Sequence, residues 1–329
     1  MRLIDIHCHT AGIGAGDIGC FVSKSMEHSY KFGNYLKAFG ITREEIARNG
    51  DALIIRRISE QLSASTRVRA AVILALDGVV GDDGDLDRAR TEVYVPNEFV
   101  ARETARYTNL LFGASVNPYR KDALDRLVWA KAHGAKLVKW IPGVMRIDPA
   151  DERLIPFYQK LVELNLPLLS HAGRERSFTQ AREELNDPQR LELPLRIGVT
   201  VIVAHIASSG DHEGERDTDR LARMMAVHPK LSADISALTL IHKIDDLRVA
   251  LTRPEFRGRL IYGTDFPLIN TVLASPYYVP RHLQPDQMKS IAAIRNPWDR
   301  DVAFKQALGV PAEVFTRGTV DHIIDFSPP

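Results

Sequence analysis

Cysteine is scarce: Cys8 and Cys20 are the only two in 329 residues. Two thiols cannot build a disulfide framework, so a reducing, cytoplasmic setting is expected. An excess of one charge sign is missing too. Lys and Arg number 43 against 42 Asp and Glu, a net charge of +1. That balance speaks against a nucleic-acid face and against a polybasic membrane anchor, and no basic–aromatic interleaving appears. No apolar run reaches the roughly 18 residues a membrane helix needs. The opening MRLIDIHCH is too short and too polar for a signal peptide. Repeats, low-complexity tracts and domain linkers are also lacking. With 45% hydrophobic and 26% charged residues, the composition is that of an ordinary globular chain, and disorder, collagen and coiled coil are excluded.

What the sequence does contain is alternation. Apolar, β-branched runs recur at 3–9, 68–76, 110–116, 135–141, 166–171, 199–205, 231–235 and 259–265. Such near-continuous runs suit strands buried on both faces. Helical patterns lie between them. Thr42 and Glu45 form a capping box ahead of a stripe of Ile46, Leu53, Ile54 and Ile58. Residues 122–133 place Leu124, Leu127, Val128 and Ala132 at helical spacing and stop at Gly134. Further helices are expected at 151–165, 219–228, 297–308 and 311–317. Eight strands with crossover helices predict an α/β fold, a (β/α)8 TIM barrel forming one domain over 1–329. The surplus length goes into an insertion after strand one, running to Ser65, and into extra C-terminal helices.

In such a barrel the C-terminal strand ends meet in one mouth, where active sites sit. Strand one ends in His7-Cys8-His9, and alternation puts both histidines on one side and Cys8 on the other. Strands five, six and eight end in His171, His205 and Asp265, and strand four carries Lys139 near its end. A lone His-x-His is weak, but four histidines and a carboxylate at converging positions suit a first-row divalent ion.

The motifs LIDIHCH, KLVKWIP, LLSHAG, VIVAHIAS and YGTDFP, followed by NPWDRDVAFKQALGV, occur in that order over nearly the whole chain. In these the sequence resembles the amidohydrolase superfamily, specifically its amidohydrolase-related metal-dependent TIM-barrel hydrolases. The resemblance implies that His7, His9 and His171 bind a metal, with Asp265 as a further ligand and proton acceptor. It implies that His205 contacts the substrate or its leaving group, or binds a second ion. One ion is expected, with Lys139 left as a free amine. With two ions, a carbamylated Lys139 and His205 would join the ligands. Zinc is the expected metal, although His and Asp also serve Mn, Fe and Co.

The implied chemistry is hydrolysis of a C–O or C–N bond (lactone, ester or amide) in a small carboxylated substrate. Asp265 would act as base and then acid, and His205 would polarise a carbonyl oxygen. The alternative is a lyase of the same superfamily, a non-oxidative decarboxylase or a hydratase. Many decarboxylases of this branch have Glu-x-His on strand one, so His7-x-His9 tilts toward hydrolysis. A catalytically silent binding barrel would have lost a ligand or Asp265, and neither loss is seen.

For the substrate carboxylate, Arg174 and Lys139 are the candidates, with Arg176 and Arg120 nearby. Glycines 12, 14, 16 and 19 suggest a flexible lid. The bland readings are a packed Trp140, a packed Cys8, a solvated His212, a surface His242, and helix-terminal His133 and His228. His282 and His322 carry no functional signal. A homo-oligomer through the extra C-terminal helices is compatible with the sequence; nucleic-acid and membrane partners are not expected.

Overall fold

The computed structural model describes residues 3–16, 18–320 and 324, and His322 lies outside them. Eight parallel strands follow one another in sequence order. They are β1 (Leu3–His9), β2 (Val68–Leu74), β3 (Leu110–Gly113), β4 (Val138–Trp140), β5 (Leu168–Ser170), β6 (Val201–Val203), β7 (Leu231–Asp234) and β8 (Leu260–Ile261). β1 to β3 form one ladder and β4 to β8 another. A parallel bridge between Ala114 and Val138 joins β3 to β4, and one between Cys8 and Phe266 returns the end of β8 to β1. Each pair of sequence neighbours is thus hydrogen-bonded around a ring, the topology of a TIM barrel.

The barrel interior is a small apolar cluster. Ile6, Val72, Leu74, Leu137, Leu169, Ile202, Ala204 and Ile261 fill it, with Leu111 against them. A far larger apolar layer lies between the strands and the surrounding helices. This double burial explains why the strands read as unbroken apolar runs rather than as alternating ones.

The strands stop earlier than the sequence suggests. β5, β6 and β8 end at Ser170, Val203 and Ile261, leaving His171, His205 and Asp265 in the turns just beyond. His205 and Asp265 have φ of 53° and 62°, a left-handed backbone that cannot continue a ladder. On β1, Asp5 pairs with Ala71 but Cys8 with Ile73. This bulge re-aims the residues leading into the mouth.

Asp5 anchors the strand at that bulge. It accepts hydrogen bonds from the backbone N–H of His7 and Thr264 (3.0 Å each), from Thr264 Oγ1 (2.5 Å) and from Trp298 Nε1 (2.9 Å). β1, the turn after β8 and helix Pro297–Ala307 are tied together by this one carboxyl, which burial pushes up to about 6.

The insertion folds as helices Tyr30–Phe39, Arg43–Asn49 and Ala52–Ser63. The Thr42–Glu45 capping box is present, but the stripe from Ile46 to Ile58 is two helices, broken at Gly50 with φ of 78°. At the other end, helix Ala312–Val320 packs on β1 and β8. It therefore serves as the barrel's own eighth helix, and Pro285–Ala292 and Pro297–Ala307 are the additions. No helix among the described residues is long and apolar enough to cross a membrane.

Candidate active site

Four polar side chains meet where β1 faces β7. His7 is fully buried, and its Nδ1 lies 2.7 Å from Asp234 Oδ2 and 3.0 Å from Ser236 Oγ. Ser236 Oγ donates to Asp234 Oδ1. His205 Nδ1 lies 2.7 Å from Ser236 Oγ and 3.1 Å from the Ser236 carbonyl oxygen, and the His205 backbone N–H donates to Asp234 Oδ1 at 2.8 Å. A carboxylate and a carbonyl only accept, so both rings carry their proton on Nδ1 and present a bare Nε2 to the mouth. Burial lowers His7 to about 4 and His205 well below the usual imidazole range, which keeps both neutral. Burial alone would raise the Asp234 carboxyl; the rings of His7 and His205 and the Ser236 hydroxyl outweigh it and hold Asp234 ionised.

The Nε2 atoms converge. His7 Nε2 is 3.1 Å from His9 Nε2, and Asp265 Oδ1 lies 3.5 and 3.2 Å from the two. His205 Nε2 is 3.6 Å from Asp265 Oδ2. Among the described residues, His7, His9 and Asp265 form a group whose ligand atoms lie within 4.8 Å of one another. A second grouping, His7 with His205 and Asp234, is already closed by the hydroxyl of Ser236. Burial would raise Asp265, but the positive charge that His205 and His7 carry when protonated, together with the hydrogen bond from His9, pulls it well below the carboxylate range.

His171 stands beside His205, ring centroids 5.4 Å apart, and belongs to neither grouping. Its Nδ1 is 3.5 Å from Glu175 Oε2, while its Nε2 is buried with no hydrogen-bond partner. A buried ring nitrogen left without a partner is costly. That orphaned nitrogen and the convergence of Nε2 atoms fit a divalent cation held by imidazoles and one carboxylate, with His7 oriented through its Nδ1 by Asp234.

Lys139 is buried on β4, and burial lowers its amine to about 8. No carboxylate lies within ion-pair distance of it among the described residues. Lys243, just after β7, is buried too, and burial lowers it in the same way.

The remaining arginine candidates separate. Arg174 and Arg176 stand exposed in the loop after β5. Arg120 is committed to Asp77 through a buried two-point pair, Nε–Oδ2 2.7 Å and Nη2–Oδ1 2.5 Å, which occupies one edge of its guanidinium and neutralises its charge. The glycine-rich segment after β1 is tied down rather than loose: the N–H groups of Ile13 and Gly14 each donate to the Asp51 carboxylate at 2.9 Å. Trp140 packs against Phe157 and Tyr158, with its Nε1 donating to the Val116 carbonyl. Cys8 is buried in the outer apolar layer. His212 is not merely solvated; it bridges Asp217 and the Glu183 carbonyl.

Asp234, Ser236, Glu175 and Lys243 escape the sequence reading. A signal existed for the first two. LSADIS puts Asp234 and Ser236 two apart on one side of strand seven, and asking what polar residue ends that strand returns Asp234.

The sequence profile of the amidohydrolase family matches residues 4–285. Among solved structures, the chain is similar to an uncharacterized TIM-barrel protein, Bb4693, from Bordetella bronchiseptica. The TM-score is 0.56 at 16% identity, over 93% of this chain and 99% of that one. It is also similar to Metarhizium anisopliae IDCase in its apo form, with a TM-score of 0.52 at 14% identity over 96% of each chain. At such identities the likeness concerns the fold. No curated protein matches the sequence. With the family profile covering most of the barrel and the site's polar residues gathered at its mouth, the chain belongs to the amidohydrolase family.

Proposed function

We propose that the protein is a metal-dependent hydrolase that cleaves a C–O or C–N bond in a small carboxylated molecule. The observation that carries this reading is the convergence of histidine Nε2 atoms and the Asp265 carboxylate in one mouth. His7, His9 and Asp265 would hold one divalent ion, zinc by ligand type, with the orphaned Nε2 of His171 completing the set. When bound, such an ion supplies Lewis-acid polarisation and lowers the pKa of water to about 7.

The chain's residues do the rest. Asp265, kept ionised by its histidine neighbours, accepts the proton of the attacking water and returns it to the leaving oxygen or nitrogen. His205 has its Nδ1 proton committed to Ser236. It therefore offers a lone pair rather than a hydrogen-bond donor, and it steers the water or joins a second ion. Polarising a carbonyl, the role expected from sequence, would require a proton on Nε2 that burial disfavours. Lys139 and Arg174 are the proposed contacts for the substrate carboxylate. The two free, buried thiols favour a cytoplasmic setting.

The test is Asp265→Asn in protein purified without chelator, screened on lactones, esters and amides with metal content measured by mass spectrometry. The variant should retain metal and lose turnover. Turnover at the wild-type level would remove Asp265 from the chemistry. Release of carbon dioxide without incorporation of water would replace the hydrolase with a lyase.

A further inference from the structure

We propose that Lys243 is an anion-recognition point of the site, receiving a carboxylate of the substrate on the β7 side of the mouth, across from Lys139 on β4. The proposal rests on the reading of this mouth as an active site, and it makes the substrate a molecule with an anionic group apart from the bond that breaks.

Lys243 occupies an unfavourable place for a cation that serves only structure. It is 7% exposed and sits at the N-cap of helix Ile244–Thr252 without a side-chain cap. A positive charge there opposes the helix dipole. Buried charges are normally paired, yet no carboxylate lies within 4 Å of this ammonium among the described residues. The carboxylates whose field it feels are Asp265, Glu175, Asp234 and Asp246, and each is engaged elsewhere. Asp234 serves His7, His205 and Ser236. Asp246 pairs with Arg216 at 2.5 Å. Glu175 accepts from the Ser177 N–H at 2.5 Å, and Asp265 faces the histidines.

The segment is held against the loop that follows His205, where Ser209 Oγ donates to the His242 carbonyl at 3.3 Å, and the charge of Lys243 is felt by His171 and His205. Lys139 acts on His171 from the β4 side. With a divalent ion bound, the two ammonium groups and that ion, against Asp265, Asp234 and Glu175, would leave the mouth with one formal positive charge in excess. An anionic substrate cancels it. Arg174 is a weaker candidate for this role, because its exposed guanidinium keeps its hydration whether or not a ligand is bound.

The experiment is calorimetric titration of the purified protein with malonate, glutarate and benzene-1,3-dicarboxylate, and with the corresponding diamides as neutral controls. Metal content is measured on the same samples. Wild type should bind at least one dicarboxylate and not its diamide. Lys243→Met should weaken that binding by about 10- to 100-fold, the scale of one charge-assisted hydrogen bond. Lys243→Arg should recover part of it, with metal content unchanged in both variants. Failure of wild type to bind any of the three, or equal binding by Lys243→Met, overturns the proposal.

A wild type without metal would sink the hydrolase reading alone, since the Lys243 comparison still decides the anion site. Should Lys243→Met fail to fold, reductive methylation of wild type decides instead. The dicarboxylate should protect Lys243 from labelling and the diamide should not; equal labelling with both overturns the proposal.

Discussion

His7 Nδ1 lies 2.7 Å from Asp234 Oδ2, so a residue at the end of β1 is oriented by one at the end of β7. The contact fixes the proton on Nδ1 and aims the bare Nε2 at His9. Asp234 also accepts the backbone N–H of His205, so one carboxylate orients the His7 imidazole and pins the main chain that carries the His205 ring. Replacing a hydrogen-bonded partner of a ligating histidine typically costs 10- to 100-fold in metal affinity. Asp234→Asn should therefore weaken zinc binding by about that factor in a chelator competition, with the fold retained by circular dichroism. An unchanged affinity would show that His7 needs no help from Asp234.

This pair also shows where the sequence is legible and where it is not. The ring of His7, His9, His171, His205 and Asp265 could be read because strand ends in a barrel converge whatever the details of packing. Fold class could be read for a similar reason, as double burial erases the apolar–polar alternation. The supporting residues could not. Whether Asp234 turns inward and which histidine it meets depend on the bulge in β1 and on the barrel's stagger, neither of which is a local property. The partner of Arg120 is hidden for the same reason. Nothing near it in sequence reveals Asp77, 43 residues earlier, as its partner.

The Arg120–Asp77 pair is a structural element, with side-chain exposures of 5% and 4%. Asp77 also accepts from the backbone N–H groups of Gly78 and Asn117, each at 2.8 Å, and so joins the loop after β2 to the one after β3. Removing one partner of a buried pair strands the other charge and costs about 3–5 kcal/mol. Arg120→Ala should lower thermal stability accordingly, measured by calorimetry. A variant with wild-type stability but weakened substrate binding would return Arg120 to the substrate site.

Gly173, two residues after His171, has φ of 82°, and a Cβ there would meet the Ser208 carbonyl oxygen at 2.6 Å and Ala207 main-chain atoms at 2.8 Å. The left-handed backbone alone costs a non-glycine residue about 1–2 kcal/mol, and the clash is with backbone that cannot step aside. Gly173→Ala should destabilise the protein by more than about 2 kcal/mol. It should also loosen metal binding more than a stability-matched core variant does, because the turn holds His171 in place. Equal metal affinity in the two variants would separate this glycine from the site.

His212 gives stability a defined pH dependence. Its Nδ1–H donates to Asp217 Oδ1 at 2.7 Å and its Nε2–H to the Glu183 carbonyl at 3.0 Å. Two acceptors require two protons, so this geometry selects the imidazolium. Partial burial lowers the pKa, but the Asp217 carboxylate and the Glu183 carbonyl outweigh it and raise it above 6.5. Asp187 and Arg220 lie beside the pair, and Arg220 is occupied with Asp187 at 3.1 Å and the His212 carbonyl at 2.9 Å. A group whose pKa is higher folded than unfolded stabilises fully below its unfolded value and loses that contribution as pH rises through the folded one. The difference in melting temperature between wild type and His212→Gln should be widest at about pH 6 and shrink toward about pH 9. A difference that is constant, or that grows with pH, would mean that His212 is neutral when it meets Asp217. The position matters because the Glu183 side chain accepts the Glu175 N–H at 3.1 Å, and Glu175 faces His171.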